Sequence, residues 1–195
     1  MTRIIAGSAR GRRLRTPHGE ATRPTSDRVR EALFSTLESQ LGSLTGLRFL
    51  DLYAGTGAVG LEAVSRGAGV LTAVESDRRT ARLVQQNATT LGFHKAEVLA
   101  TPVARALAHH PRAPYDVVFA DPPYPMENDE VERMLALLVA NVWAAPGSLV
   151  VLERSARSAE PAWPVGLRLD RTKEYGETVL WYVRAESAGE PDQEE

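Results

Sequence analysis

With 195 residues, 43% hydrophobic and 25% charged, the chain has the size and make-up of one globular domain, or one domain with a small appendage. The absence of cysteine excludes disulfides and thiolate metal sites and fits a reducing cytoplasm. No apolar run approaches the roughly 20 residues of a membrane span, and the charged N-terminus lacks the apolar stretch of a signal peptide.

The net charge of −2 conceals an asymmetry. Residues 1–30 hold eight arginines (Arg3, Arg10, Arg12, Arg13, Arg15, Arg23, Arg28, Arg30) against Glu20 and Asp27, a local excess of +6, so the rest of the chain sums to −8. A basic arm on an acidic body suits a polyanionic partner, because each neutralised phosphate releases counterions. The plainer alternative is a solvated, disordered N-terminus.

In chain order, Arg3-Ile4-Ile5-Ala6-Gly7 and Arg12-Arg13-Leu14-Arg15-Thr16 flank a Gly/Ser break. They predict a short hairpin with Gly7 and Gly11 near its turn and Pro17-His18-Gly19 at its end. Its basic residues are all arginine, whose planar guanidinium forks onto phosphate and stacks on bases. The segment from Arg23 to Leu37 predicts a helix capped by Thr25 or Ser26, with Asp27 in its positive first turn. Val29, Leu33, Leu37 and Leu41 recur at four-residue steps and define one packed face, with Arg28 and Arg30 pointing elsewhere. Gly42 and Gly46 end this unit.

From Leu47 the pattern alternates. Strands are expected over about 47–52, 70–75, 95–100, 115–120 and 147–153, and helices over about 58–67, 77–91, 101–110 and 127–141. Apolar runs such as Val117-Val118-Phe119-Ala120 suit a parallel sheet covered on both faces, and right-handed crossovers make it doubly wound. After Glu153, Leu167–Arg171 and Thr178–Val183 read as strands with no helix between them, hence an antiparallel hairpin at the sheet edge. Residues 186–195 hold five acids and no base, which reads as a disordered tail. The expected division is a basic extension over 1–22, a ligand-binding domain over 23–184 and a tail over 185–195.

Two motifs carry chemistry. In the first, Asp51 ends an apolar run, Tyr53-Ala54-Gly55-Thr56-Gly57 forms a glycine turn, a helix starts, and Glu75 ends the next run, followed by Ser76. Glycine lets a ligand approach the backbone, a helix N-terminus offers unpaired N–H groups, and an acid at the next strand end suits a ribose diol. Gly55-x-Gly57-x-x-Gly60 also matches the dinucleotide fingerprint, so this motif alone fits a nicotinamide enzyme equally well. In the second, Asp121-Pro122-Pro123-Tyr124 follows the fourth strand directly. Two prolines fix the backbone and leave carbonyl acceptors without N–H donors. An acid, a rigid carbonyl and an aromatic ring suit a planar base bearing an exocyclic amine. Two acceptors hold the amine and localise its lone pair for attack on an activated methyl group, through orientation and electrostatics.

Together, Phe49-Leu50-Asp51-Leu52-Tyr53-Ala54-Gly55-Thr56-Gly57 and Asp121-Pro122-Pro123-Tyr124 resemble the class I S-adenosylmethionine-dependent amino-methyltransferases. Arg3–Gly7, Gly11–Leu14 and Arg23–Phe34 further resemble the RsmD family, over about residues 2–184. The resemblance implies an α/β fold with a mostly parallel seven-stranded sheet, a C-terminal antiparallel hairpin and a small N-terminal hairpin and helix extension. It implies methylation of the 2-amino group of one guanine in small-subunit (16S) ribosomal RNA, with S-adenosylmethionine as cofactor and RNA in the small subunit, or an assembly intermediate of it, as partner. Asp51, Tyr53, Ala54, Gly55, Thr56 and Gly57 should then cradle the methionine end of the cofactor, Glu75 and Ser76 should lie at its ribose, and the segment from Thr25 to Phe34 should close over it. Asp121 to Tyr124 should hold the base. The arm arginines should hold RNA. No metal and no membrane are expected, and a monomer is the default. Related enzymes often read the adenine with an acid or amide after the third strand; here that place is Ala100-Thr101-Pro102-Val103, so no side chain is assigned.

Plainer readings stand beside these. Tyr53 is open between core packing and cofactor contact, and Glu75 between the ribose role and capping of the next helix. Phe34, Trp143, Trp163 and Trp181 are expected to pack, Tyr175-Gly176 to form a turn, and His109 and His110 to end a helix without function. The competing functions are an adenine-N6 methyltransferase, a nicotinamide-dependent oxidoreductase, which leaves Asp121–Tyr124 unexplained, and a non-catalytic RNA-binding module.

Overall fold

The computed structural model describes residues 2–16 and 26–187. Helix α1 (Asp27–Leu41) precedes an alternating series: β1 (Arg48–Leu52), α2 (Ala58–Ser65), β2 (Val70–Glu75), α3 (Arg78–Leu91), β3 (Ala96–Ala100), α4 (Val103–Leu107), β4 (Tyr115–Ala120) and α5 (Asn128–Ala140). Three strands close it: β5 (Ala144–Ser155), β6 (Leu167–Tyr175) and β7 (Thr178–Ala185). The sheet order is β3-β2-β1-β4-β5-β7-β6. All pairings from β3 to β5 are parallel, and β7 enters antiparallel between β5 and β6. Strand order reverses between β1 and β4, which is where such sheets bind ligands.

Each central strand is buried on both faces and divides its residues between two cores. Phe49, Leu71, Val117, Phe119 and Val151 meet α1, α2 and α3 on one side. Leu50, Leu52, Val74, Val118 and Val150 meet α4 and α5 on the other. Phe34 packs as expected, stacked on Phe49 with ring centroids 6.3 Å apart. Trp143 stacks on Tyr115 at 5.7 Å, and Trp163 meets Trp181 edge-on at 6.2 Å. No helix among the described residues is long and apolar enough to cross a membrane.

Several expected bounds shift for local reasons. The helix expected over 101–110 shortens to α4, because Pro102 sits at its cap and the chain leaves the helix at Ala108. His109 and His110 therefore lie beyond it, and His110 Nδ1 meets the Asn141 carbonyl at 3.0 Å. The terminal hairpin is longer than expected: β6 runs on to Tyr175, leaving Gly176, at φ +62°, in a two-residue turn. Strand β7 includes Ala185, and Glu186 accepts from Arg168 Nε at 2.6 Å, so the sheet reaches into the expected tail. Residues 188–195 lie outside the described residues, as do Pro17–Gly19.

Before α1, the chain forms a small antiparallel loop with one bridge between Arg3 and Arg13. Gly7 and Gly11, both at φ +80°, turn it. Its apolar residues Ile4, Ala9 and Leu14 enter the core shared by α1 and α2. Polar anchors on α2 and α3 hold it. Glu62, fully buried in α2, accepts from Ile5 N at 2.7 Å and Ala6 N at 2.9 Å. Ser65 Oγ accepts from Ala9 N at 2.9 Å and donates to Ala6 O at 2.6 Å. On α3, the Asn87 amide accepts from Arg15 N at 2.9 Å and donates to Arg15 O at 3.0 Å.

Candidate active site

The crevice opens at the carboxyl ends of β1, β2 and β4. Past β1 the chain turns at once: Tyr53 takes φ +59°, a left-handed conformation that is strained for a residue with a Cβ. Its ring is half-buried against the α4/α5 core and its hydroxyl lies 3.7 Å from Met126 Sδ. The three motif glycines serve different ends. A Cβ on Gly57 would lie 2.7 Å from Val84 of α3, and one on Gly60 would lie 2.7 Å from Leu71 and 2.9 Å from the Asp51 carboxylate. Both permit α2 to pack closely. A Cβ on Gly55 would meet nothing nearer than the Tyr53 carbonyl at 4.0 Å. Gly55 is thus the glycine of the three whose backbone faces open space, where a ligand can approach.

Three carboxylates line this end. Asp51 is 1% exposed, and its Oδ2 accepts from Gly60 N at 2.8 Å. Burial pushes its pKa up to about 7; the Gly60 bond opposes this, and the charges of Asp121 and Glu75 reinforce it. Asp51 therefore fastens the first turn of α2 to β1 with its side chain. Glu75 spans the crevice: it accepts from Gly55 N at 2.9 Å and from Asp77 N at 2.8 Å. The cap of α3 is Asp77, which accepts from Thr80 N at 2.7 Å. Ser76 is exposed, with its hydroxyl 3.4 Å from Glu75 Oε1. Thr56 is buried, and Ala54 is tied by its N–H to Val74 O at 3.0 Å.

Across the strand-order reversal, Asp121 leaves β4. Burial pushes its pKa up to about 7 as well, with the Arg154 charge opposing. Pro122 is buried, Pro123 is exposed, and Tyr124 stands 79% exposed. Arg154 was missed by sequence reasoning. It sits near the carboxyl end of β5 and donates through Nη2 to Met126 O at 2.6 Å, tying down the loop that carries Asp121–Tyr124. Its Nη1 is buried without a hydrogen-bond partner. The available signal was positional: like Asp51, Glu75 and Asp121, it is a charge closing a buried apolar run.

Of the arm arginines, Arg3, Arg10, Arg12, Arg13, Arg15 and Arg28 are exposed. Arg30 corrects the expectation. It is fully buried, donates through Nη2 to Arg3 O at 2.6 Å and to Asp27 Oδ1 at 3.0 Å, and leaves Nε and Nη1 without partners. Desolvation lowers its pKa, with Glu62 and Asp27 opposing. The helical stripe at 29, 33 and 37 widens to include position 30, because the N-terminal loop covers α1 there. Arg30 therefore holds the loop and is not a surface phosphate ligand. Arg23 and Thr25 lie outside the described residues, and Ser26 supplies the cap of α1, accepting from Val29 N at 3.2 Å.

Comparison with known proteins accounts for this arrangement. Residues 2–184 match the family described as "Conserved hypothetical protein 95". "Ribosomal RNA small subunit methyltransferase D" of Escherichia coli (strain K12) is 36% identical over 190 residues, 97% of this chain and 93% of that protein. The chain belongs to the RsmD family. A further relative, the protein of the same name from Haemophilus influenzae, is 38% identical over 77% of each chain. The solved structure of yhhF from Escherichia coli is 33% identical, covers 95% of this chain and 98% of its own, and superposes with a TM-score of 0.85. Magnesium protoporphyrin IX methyltransferase from Synechocystis, solved with bound SAM, is 14% identical with a TM-score of 0.63 and shares the fold alone. RsmD membership thus places a methyltransferase fold behind the crevice described above.

Proposed function

We propose that this chain methylates the exocyclic 2-amino group of a guanine in small-subunit (16S) ribosomal RNA, with S-adenosylmethionine as methyl donor. The reading takes its substrate class from the names of its relatives. One observation carries the chemistry: a desolvated Asp121, a proline pair and the 79%-exposed Tyr124 sit at the end of β4, beside the open Gly55 backbone at the end of β1.

The residues present fit the cofactor. Space over Gly55 admits a ligand against the backbone, and the carboxylates of Asp51, Glu75 and Asp121 favour a positive charge between them. Asp51 to Gly57 would hold its methionine end and Glu75 its ribose hydroxyls, with Ser76 alongside. When bound, S-adenosylmethionine supplies a methyl group on a positively charged sulfur. Asp121 and the Pro122 carbonyl accept the two amine hydrogens of the base, and Tyr124 stacks on its ring. Asp121, or water, would take the proton that the amine nitrogen gives up on methylation. The residues contribute orientation and stabilisation of charge developing on nitrogen. The guanine must be unstacked to enter, at a cost of a few kcal/mol. Arg3, Arg10, Arg12, Arg13, Arg15 and Arg28 serve the phosphates, the substrate is RNA within the small subunit or an assembly intermediate, and the protein acts as a cytoplasmic monomer.

The test is incubation with tritiated S-adenosylmethionine and small subunits from cells lacking this activity, followed by digestion to nucleosides. Label is expected as 2-methylguanosine at a single position. Label as 6-methyladenosine would replace guanine with adenine while keeping the site. Cofactor binding without label in RNA would overturn the ribosomal substrate.

A further inference from the structure

The N-terminal loop bonds α2 at Glu62 and Ser65 and α3 at Asn87 and Thr90, all in the second halves of those helices. The crevice lies at the opposite ends, where α2 and α3 begin. The exposed outward face of α3 runs from the loop to the crevice edge and offers a strand held by the loop arginines a path between them. We propose that the outward face of α3 carries the RNA backbone over this gap, with Arg79 and Arg82 as its phosphate contacts. This rests on the ribosomal RNA reading above and deepens it.

Three observations support the assignment. First, Arg78, Arg79 and Arg82 are exposed, none forms an ion pair among the described residues, and α3 contains no acidic residue. The capping Asp77 feels the charge of Arg79. Second, these cations crowd the first turns of a helix, whose positive end disfavours them, while its last turn carries no basic residue. That placement opposes the helix dipole with no ion pair among the described residues to offset it, so it points to an anionic partner outside the chain. Third, helical spacing sets Arg79, Arg82, Gln86 and Thr90 along one exposed stripe, and Arg12 Nη2 already donates to Thr90 O at 3.1 Å where that stripe meets the loop. At about 1.5 Å per residue, the stripe runs roughly 16 Å from the loop to the crevice end.

The experiment measures binding of deproteinised small-subunit ribosomal RNA across a salt series for the wild-type chain, an R79E/R82E variant, and R133E as a control on the exposed face of α5. We expect R79E/R82E to bind about tenfold more weakly, with the log–log salt slope reduced by about 1.4, near 0.7 for each lost phosphate on single-stranded RNA. Its melting temperature should rise by about 2 °C, since acids at the start of α3 favour the helix, which separates lost contact from misfolding. Cofactor affinity and the behaviour of R133E should stay at wild-type values. Wild-type affinity and slope in R79E/R82E would overturn the proposal while leaving the ribosomal reading intact. A wild-type chain that neither binds nor methylates ribosomal RNA would overturn both.

Discussion

Glu62 and Asp51 are both buried carboxylates, on either side of the glycine motif, yet their surroundings differ. Glu62 has three donors: Ile5 N, Ala6 N and Arg66 Nε at 2.8 Å. Its charge is matched, and it pins the N-terminal loop to α2. Asp51 has one backbone donor and two neighbouring acids, and burial pushes it to about 7. A buried charge is stable when paired and hydrogen-bonded. Glu62 is thus a completed structural site, whereas the Asp51, Glu75 and Asp121 group, offset by Arg154 at Asp121, is an unfinished one whose surplus negative charge suits a cationic ligand. The same residue type marks architecture in one place and, under the proposed function, ligand binding in the other.

Breaking the finished site should have the largest effect on folding. Glu62→Ala leaves two amides and Arg66 Nε without their acceptor and Arg30 without its main opposing charge, a loss of about 3–5 kcal/mol. Chemical denaturation should show it directly, with the loop more open to proteolysis. Breaking the unfinished site should spare the fold and stop the chemistry. Asp121→Ala should lower turnover by about 10²–10³ without loss of melting temperature, and the deficit should persist at saturating cofactor. A fully active Asp121→Ala would remove Asp121 from the mechanism.

The difference between these sites was only partly legible in the sequence. The alternation from Leu47 and the acids closing three apolar runs placed the strands and brought Asp51, Glu75 and Asp121 to one edge, because strand period and sheet topology are local and repetitive signals. The second motif, with its paired prolines, was legible because prolines restrict the backbone wherever they stand. Arg30 was not. Its helical position looked solvent-facing, and its burial depends on a loop that folds back from outside the periodic pattern. Arg154 was not, since its bond to Met126 joins residues 28 apart through β5. Neither was the division of labour among Gly55, Gly57 and Gly60, which rests on the distance to Val84 and Leu71 on other elements.

A smaller effect, but one of opposite sign, is expected at Asp51. Its pKa rises from 3.8 to about 7 in the folded state, and that of Asp121 does the same. The folded chain then binds more protons than the unfolded chain between these values. The stability these acids contribute is fully present below about pH 4 and declines as pH rises through 7. Asp51→Asn keeps an oxygen for Gly60 N and removes the titrating charge. Its denaturation free energy should fall less steeply with pH and match or exceed wild type at pH 8. A cationic ligand favours the ionised acids, so its wild-type affinity should tighten as pH rises through 7 with proton release, and Asp51→Asn should weaken both the affinity and that dependence. A variant with an unchanged pH–stability curve would remove Asp51 from the titration.

The smallest change is expected at Tyr124, which follows Asp121 in the chain and stands open to solvent. At 79% exposure its ring contributes little to the core, so Tyr124→Ala should leave the melting temperature within about 1 °C of wild type. Its proposed work is stacking on an unstacked base, worth about 1–3 kcal/mol in single-stranded recognition. Tyr124→Ala should therefore lower kcat/KM for RNA by roughly 10- to 100-fold without altering cofactor affinity. Tyr124→Phe preserves the ring and should recover most of that loss. The pair of variants separates stacking from any role of the hydroxyl: equal losses in both would assign the effect to the hydroxyl, and no loss in Tyr124→Ala would move the base away from this side chain.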